Sequence, residues 1–168
     1  MSRFHLLVLS FLLVACGCTS TLGLGMPPTA LRDIDFSYDT VWFAASGAVQ
    51  THFPGLEISN KAKGRILSNF KMDYGIARSS PYEYAFKAEL RIVPRESEGK
   101  RTYDIEVKVW KYYRPTGAYL DDNEGWSAIR RDKDLEDNII KAFMQQTLLD
   151  QRIKQGHEKF KKRRRRGW

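Results

Sequence analysis

Cysteine is nearly absent from this chain: it has two, Cys16 and Cys18, and none follows them. An internal disulfide in the body of the protein is therefore excluded, and stability has to come from a core. Histidine is almost as scarce. Beyond the first segment only His52 and His157 occur, with no cysteine beside them, so the three or four ligands of a zinc site are missing. His52 reads instead as a helix-end residue half covered by a sheet. No apolar run reaches the roughly 20 residues of a membrane-spanning helix. No internal repeat is present either.

The longest apolar run is Leu6 to Ala15, interrupted only by Ser10 and preceded by Arg3, with small residues after it. That is the composition of a secretory signal peptide. Its leucines, valines and phenylalanine occupy every helical face, which argues against a soluble amphipathic helix. Leu13-Val14-Ala15-Cys16 resembles the lipobox of bacterial lipoproteins, in which the cysteine thiol receives a diacylglyceryl group carrying fatty chains such as palmitate and the preceding peptide bond is cut. The resemblance implies lipidation at Cys16, with a second register at Cys18 as the alternative. Because Gly17 and not aspartate follows, it further implies an outer-membrane anchor with the domain facing the periplasm. Two or three acyl chains anchor stably, since each buried methylene contributes about 0.8 kcal/mol.

The expected organisation is a signal peptide over 1–15, a lipidated terminus and tether over 16–30, one domain over 31–155 and a basic, disordered tail over 156–168. Val41, Trp42, Ala45, Ala48, Val49, His52 and Phe53 recur at helical spacing after a capping Ser37, and Pro54-Gly55 ends that helix. Leu56 and Ile58, a turn at Lys61 to Gly64, and a returning face of Ile66, Ser68, Phe70 and Met72 predict a hairpin. "YEYAFKAELRIV" from Tyr82 and "YDIEVKVWKYY" from Tyr103 alternate strictly, with Tyr103, Ile105, Val107 and Val109 inward. Charge selects their register: with Leu90 opposite Val107, Arg91 meets Glu106, Glu89 meets Lys108 and Lys87 meets Trp110. Asp132 or Asp134 starts a second helix with a stripe of Leu135, Ile139, Ala142, Phe143, Gln146, Leu149 and Ile153. The predicted fold class is α+β, a four-stranded antiparallel sheet with two helices on one face. That order, together with the anchor and the stretch Asp39 to Asn60, resembles the compact domains of envelope lipoproteins such as the BamC component of the outer-membrane assembly machinery. The resemblance carries over no site residue.

No catalytic, metal or cofactor site is expected. Asp121, Asp122, Asn123 and Glu124 lack calcium-loop spacing and read as a solvated turn beside a packed Trp126. Glu89 and Glu106 could supply paired carboxylates, but a salt-bridged surface explains them. Ser79 has no base or oxyanion motif near it. A binding face is suggested by Lys87, Arg91, Trp110 and Tyr112, which share the outer parity of their strands; the alternative is that a bulge or the segment after Tyr113 covers those rings.

Charge is distributed unevenly. Of 28 Lys and Arg and 20 Asp and Glu, nine cations and one acid fall within 151–168, leaving 19 of each sign before it. Lys159, Lys161, Lys162, Arg163, Arg164, Arg165 and Arg166 thus form an expected contact for anionic partners: lipid head groups, lipopolysaccharide, cell-wall polymers or acidic protein, with Phe160 and Trp168 suited to a membrane interface. In the cytosol the same arm would suit nucleic acid. The export signal favours the envelope partners, and a non-catalytic binding or assembly module is the expected function.

Overall fold

The computed structural model describes residues 27–74, 80–97, 99–117 and 124–166. In order these form β1 (Thr29–Ile34), α1 (Tyr38–His52), β2 (Leu56–Asn60), a 3-10 turn (Lys61–Lys63), β3 (Arg65–Ser68), β4 (Lys71–Met72), β5 (Tyr82–Ser97), β6 (Lys100–Pro115), β7 (Ser127–Arg131) and α2 (Lys133–Arg166). The fold is α+β with an antiparallel sheet and two helices, but the sheet has seven strands, not four. The order is β1-β6-β5-β3-β2, with β4 also on β5 and β7 also on β6.

The three additional strands share a physical reason. Strand β4 has only two residues, and β7 reads SAIRR with a single large apolar residue, so neither shows alternation. The start of β1 falls in the expected tether; its charged interruptions leave only Leu31 and Ile34 as large apolar residues, on either side of a register shift. Asp104 closes that irregularity by accepting the Asp33 N–H at 3.2 Å. Long β5 and β6 make room for these short pieces. Each lends one part of its outer edge to one partner and the rest to another.

The β5–β6 register is the one that charge selects: Leu90 opposes Val107, Arg91 opposes Glu106, Glu89 opposes Lys108 and Lys87 opposes Trp110. Their hairpin runs further than expected and includes Pro94. Ile92 sends its N–H toward β3, to the Gly64 carbonyl at 2.8 Å, so the proline two residues on faces the space beyond the end of β3, where no ladder bond is lost. Gly64 itself has φ +59°, and a Cβ there would lie 2.5 Å from the Ile92 carbonyl oxygen. Only glycine fits.

Helix α1 begins as expected, with Ser37 Oγ accepting the Thr40 N–H at 3.3 Å. Asp132 caps α2 through the Leu135 N–H at 2.9 Å. The core lies between helices and sheet: Val41, Ala45, Ala48, Val49 and Phe53 from α1, Ile139 and Phe143 from α2, and Ile66, Leu90, Ile105, Val107 and Val109 from the sheet. The helices meet where Gly47 faces Gln146 and again where Lys154 Nζ reaches Thr40 Oγ1 at 3.4 Å. Those two contacts make them antiparallel.

Two expected features differ. Phe70 and Met72 do not continue the inward row of Ile66 and Ser68. Between the Leu67–Glu89 and Lys71–Phe86 pairs the chain gains one residue, a bulge that sends Phe70 to the opposite face. Ser68 Oγ fills the gap by accepting the Ala88 N–H at 2.8 Å. The second difference is α2, whose backbone stays helical to Arg166, past the Gly156 where charge repulsion was expected to unwind it. Arginine and lysine are good helix formers, and that preference opposes the repulsion. Its apolar stripe also loses cover: Leu149 and Ile153 are 57% and 50% exposed.

Candidate functional site

The outer face of the sheet carries a small apolar layer of its own. Ala85 is fully buried there, between Tyr112 on β6 and Met72 on β4. Phe70, turned over by the bulge, stacks on Trp126 at 5.1 Å between centroids and meets Tyr112 edge-on at 5.3 Å. Lys87 Nζ sits 4.5 Å from the Phe70 ring, and the Arg114 guanidinium lies 4.5 Å from Trp126. Burial, with the Glu89 carboxylate adding to it, pushes the Tyr112 phenol above its ordinary value. Beside this layer a cleft of about 680 Å³ is lined by Asn69, Phe70, Tyr74, Glu83, Arg114 and Trp126, among others.

Of the expected binding face, the structure brings Lys87 and Tyr112 together around Phe70, with Trp110 half-buried across the strand from Lys87. Arg91 lies four residues further along β5, exposed and bonded to Glu89 at 3.0 Å. Most cations of this face have acids: Lys87 pairs with Glu57, Arg65 and Arg91 with Glu89, Arg114 with Glu83 and Arg95 with Asp104, while Lys108, opposite Glu89, enters no ion pair among the described residues. Burial alone would raise the Glu89 pKa, but the hydrogen bonds and charges of Arg91 and Arg65 outweigh it, and the net shift is downward. Trp126 is packed, as expected. Asp121, Asp122, Asn123 and Ser79 lie outside the described residues, as do Cys16 and Trp168. Among the described residues no group of three or more His, Cys, Asp or Glu could hold a metal, and no helix is long and apolar enough to cross a membrane.

A second cluster went unseen in the sequence. Strands β1 and β7 abut along one edge of β6: pairing with β1 ends at Val107, opposite Thr29, pairing with β7 begins at Trp110, and Val109 between them has no strand partner on that side. Side chains take over. Glu136, fully buried on the first turn of α2, accepts the Val109 N–H at 3.0 Å, Arg131 Nε at 2.8 Å and Arg131 Nη2 at 2.6 Å, and Thr29 Oγ1 donates to it as well. Arg131 also reaches the Val107 carbonyl at 3.4 Å and the Pro27 carbonyl at 2.7 Å, and Lys133 adds a bond to Pro27 at 3.1 Å. Burial pushes the Glu136 pKa up, yet the bonds from Arg131, Thr29 and Val109 hold it below the ordinary carboxylate value. The chain entering the domain is thus gripped at the N-terminal end of α2. Arg131 and Glu136 are five apart, outside the i, i+3 and i, i+4 spacings that mark helical pairs. The only available signal was an acid in an otherwise inward-facing helical stripe.

The third feature is the far half of α2. From Leu148 onward none of its described side chains is buried, and Met144, Leu148, Leu149 and Ile153 are 39 to 57% exposed. Arg152, Lys154 and Lys161 are exposed among them. The backbone places positions 159 and 161–166 on the same helix.

Comparison with known protein families and with curated proteins finds no match to this chain.

Proposed function

We propose that this protein is an outer-membrane lipoprotein of the periplasm, acylated on Cys16, that works without catalysis as a binding or assembly module and uses its basic helical end as a second contact with an anionic surface or partner. The observation that carries the reading is the charge distribution. A domain with balanced charge displays the entire excess of +8 on one terminal segment. Near an anionic surface each such Lys or Arg contributes about 1 kcal/mol at low screening, so several together outweigh the thermal energy that would disperse the end. The grip on Pro27 supports the same reading, because it ties the chain following the anchor to the domain at a fixed point.

Mass analysis of the mature protein tests the anchor: the expected N-terminus is an acylated Cys16. With Cys16→Ser removing the anchor, deletion of Lys159 to Trp168 is expected to leave the domain folded and to weaken co-sedimentation with anionic vesicles at low salt. Unchanged co-sedimentation would remove the tail from the mechanism. Native protein that begins at Met1, carries no acyl chain and resides in the cell interior would move the reading to a nucleic-acid arm.

A further inference from the structure

Building on the anchored reading above, we infer that the helix layer is a membrane-docking face: α2 lies along the surface of an anionic bilayer, with Leu148, Leu149 and Ile153, joined by Phe43 of α1, entering its interface. The sheet then faces away from the lipid.

Reach supplies the first argument. From Cys16 to the gripped Pro27 there are 11 residues, which span at most about 40 Å when fully extended. Helix α2 starts at that grip and has 34 residues, a length of about 50 Å. Standing upright with its basic end on the lipid, α2 would hold Pro27 farther from the membrane than the tether extends. Upright in the opposite sense, the basic end would be held about 45 Å from the surface that anchors the protein. Simultaneous contact by anchor and basic end therefore rules out an upright α2 and keeps its tilt from the membrane plane below about 50°.

Exposure and charge choose the side. Phe43, Leu148, Leu149 and Ile153 are 65, 55, 57 and 50% exposed. The contacts of Gly47 with Gln146 and of Thr40 with Lys154 set Phe43 level with residue 150, so these side chains belong to one region of the helix layer. Lys141, Leu148 and Arg152, at i, i+7 and i+11, run along a single line of α2, all exposed. Among the described residues Lys141, Arg152 and Lys154 enter no ion pair, whereas on the outer sheet face Lys87, Arg65, Arg91 and Arg114 are held by acids. A helix with apolar residues flanked by cations that no acid neutralises is suited to the boundary between head groups and acyl chains of an anionic bilayer.

The test uses the mature acylated chain reconstituted in vesicles, with Cys18→Ser and a nitroxide on Leu149→Cys, Ile153→Cys or Arg91→Cys, the last on the outer sheet face. All three positions are exposed, so the fold tolerates the label. On vesicles containing phosphatidylglycerol, labels at 149 and 153 are expected to gain collision with oxygen and lose several-fold their collision with a water-soluble nickel complex, while the label at 91 stays in water. Labels at 149 and 153 as open to nickel as that at 91, or immersion of 91 instead, would overturn the docking face. Shielding of 149 and 153 only when an acidic protein or a nucleic acid is added would overturn it as well. If those labels remain wet while Gln replacements at Lys161, Lys162 and Arg163 to Arg166 still weaken the anchor-free chain's hold on vesicles, the face fails and the anchored module stands; an unacylated Cys16 removes both.

Discussion

Glu136→Gln is the most informative single perturbation of the fold, because it keeps shape and removes charge at the junction of β1, β7 and α2. Arg131 and Glu136 have side chains 1% and 0% exposed, so neither can turn to water for compensation. Glutamine presents one acceptor where the carboxylate presents two, and its amide donor faces the donors of Arg131 or Thr29. The guanidinium is then left charged and buried. Removing one partner of such a pair costs about 3–5 kcal/mol, against about 5–15 kcal/mol for the whole stability of a domain. At about 3 °C per kcal/mol for this size, the melting midpoint should fall by about 10–15 °C. The double variant Arg131→Met, Glu136→Leu removes both charges but leaves the Val109 N–H and the Val107 and Pro27 carbonyls without these partners. Pro27 is exposed and keeps its bond from Lys133, and the Val107 contact is long, so the Val109 N–H is the main buried group left unsatisfied, at about 1–3 kcal/mol, and the double variant should be more stable than the single. Urea unfolding followed by circular dichroism measures both. A Glu136→Gln variant within about 1 kcal/mol of the parent, or a double variant weaker than the single, would refute the account of this cluster as a buried pair closing the sheet edge.

Three further outcomes follow from the same structure. Glu89 and Glu136 both have pKa values below those of the unfolded chain, so their contribution is complete above about pH 4.3 and is lost as pH falls through the folded values; unfolding free energy should drop on acidification below that point, and less steeply in Glu136→Gln. Gly64→Ala forces a Cβ against the Ile92 carbonyl at positive φ and should cost about 1–3 kcal/mol in urea, where a gain would show that the turn relaxes. Ser68→Ala orphans the Ala88 N–H and should cost about 1–3 kcal/mol, with accelerated hydrogen exchange at Ala88 as its local signature.

Legibility followed periodicity and failed where periodicity is short or broken. Strands β5 and β6 carry enough alternation and enough charge to fix faces and register together, and the inward set Tyr103, Ile105, Val107 and Val109 is buried as expected. Both helix starts were legible because their caps are single, local residues. The bulge before Phe70 was not, since one inserted residue leaves no signature in composition; its one trace is Ser68, a polar residue in an inward row that must find a partner. Phe70 then joined Tyr112 and Trp126 in a layer no sequence pattern announced. The Arg131–Glu136 pair is harder still, because it answers a need created by three segments distant in the chain: the start of β1, the end of β7 and the middle of β6.

The two halves of α2 therefore answer to different constraints. Up to Thr147 its residues are accounted for by the fold: Glu136 completes the sheet edge, Ile139 and Phe143 fill the core, and Gln146 meets Gly47. Beyond that point the helix continues without the sheet beneath it, yet it retains large apolar residues alternating with cations. Exposed leucine and isoleucine gain little from folding while they remain in water, since the favourable term of about 25 cal/mol per Å² arises only on burial. Polar helix formers would hold the same backbone at least as well. On the proposed docking, the apolar residues at 148, 149 and 153 find against the lipid the burial that this domain does not give them, and Arg152 and Lys154 beside them meet its acidic head groups.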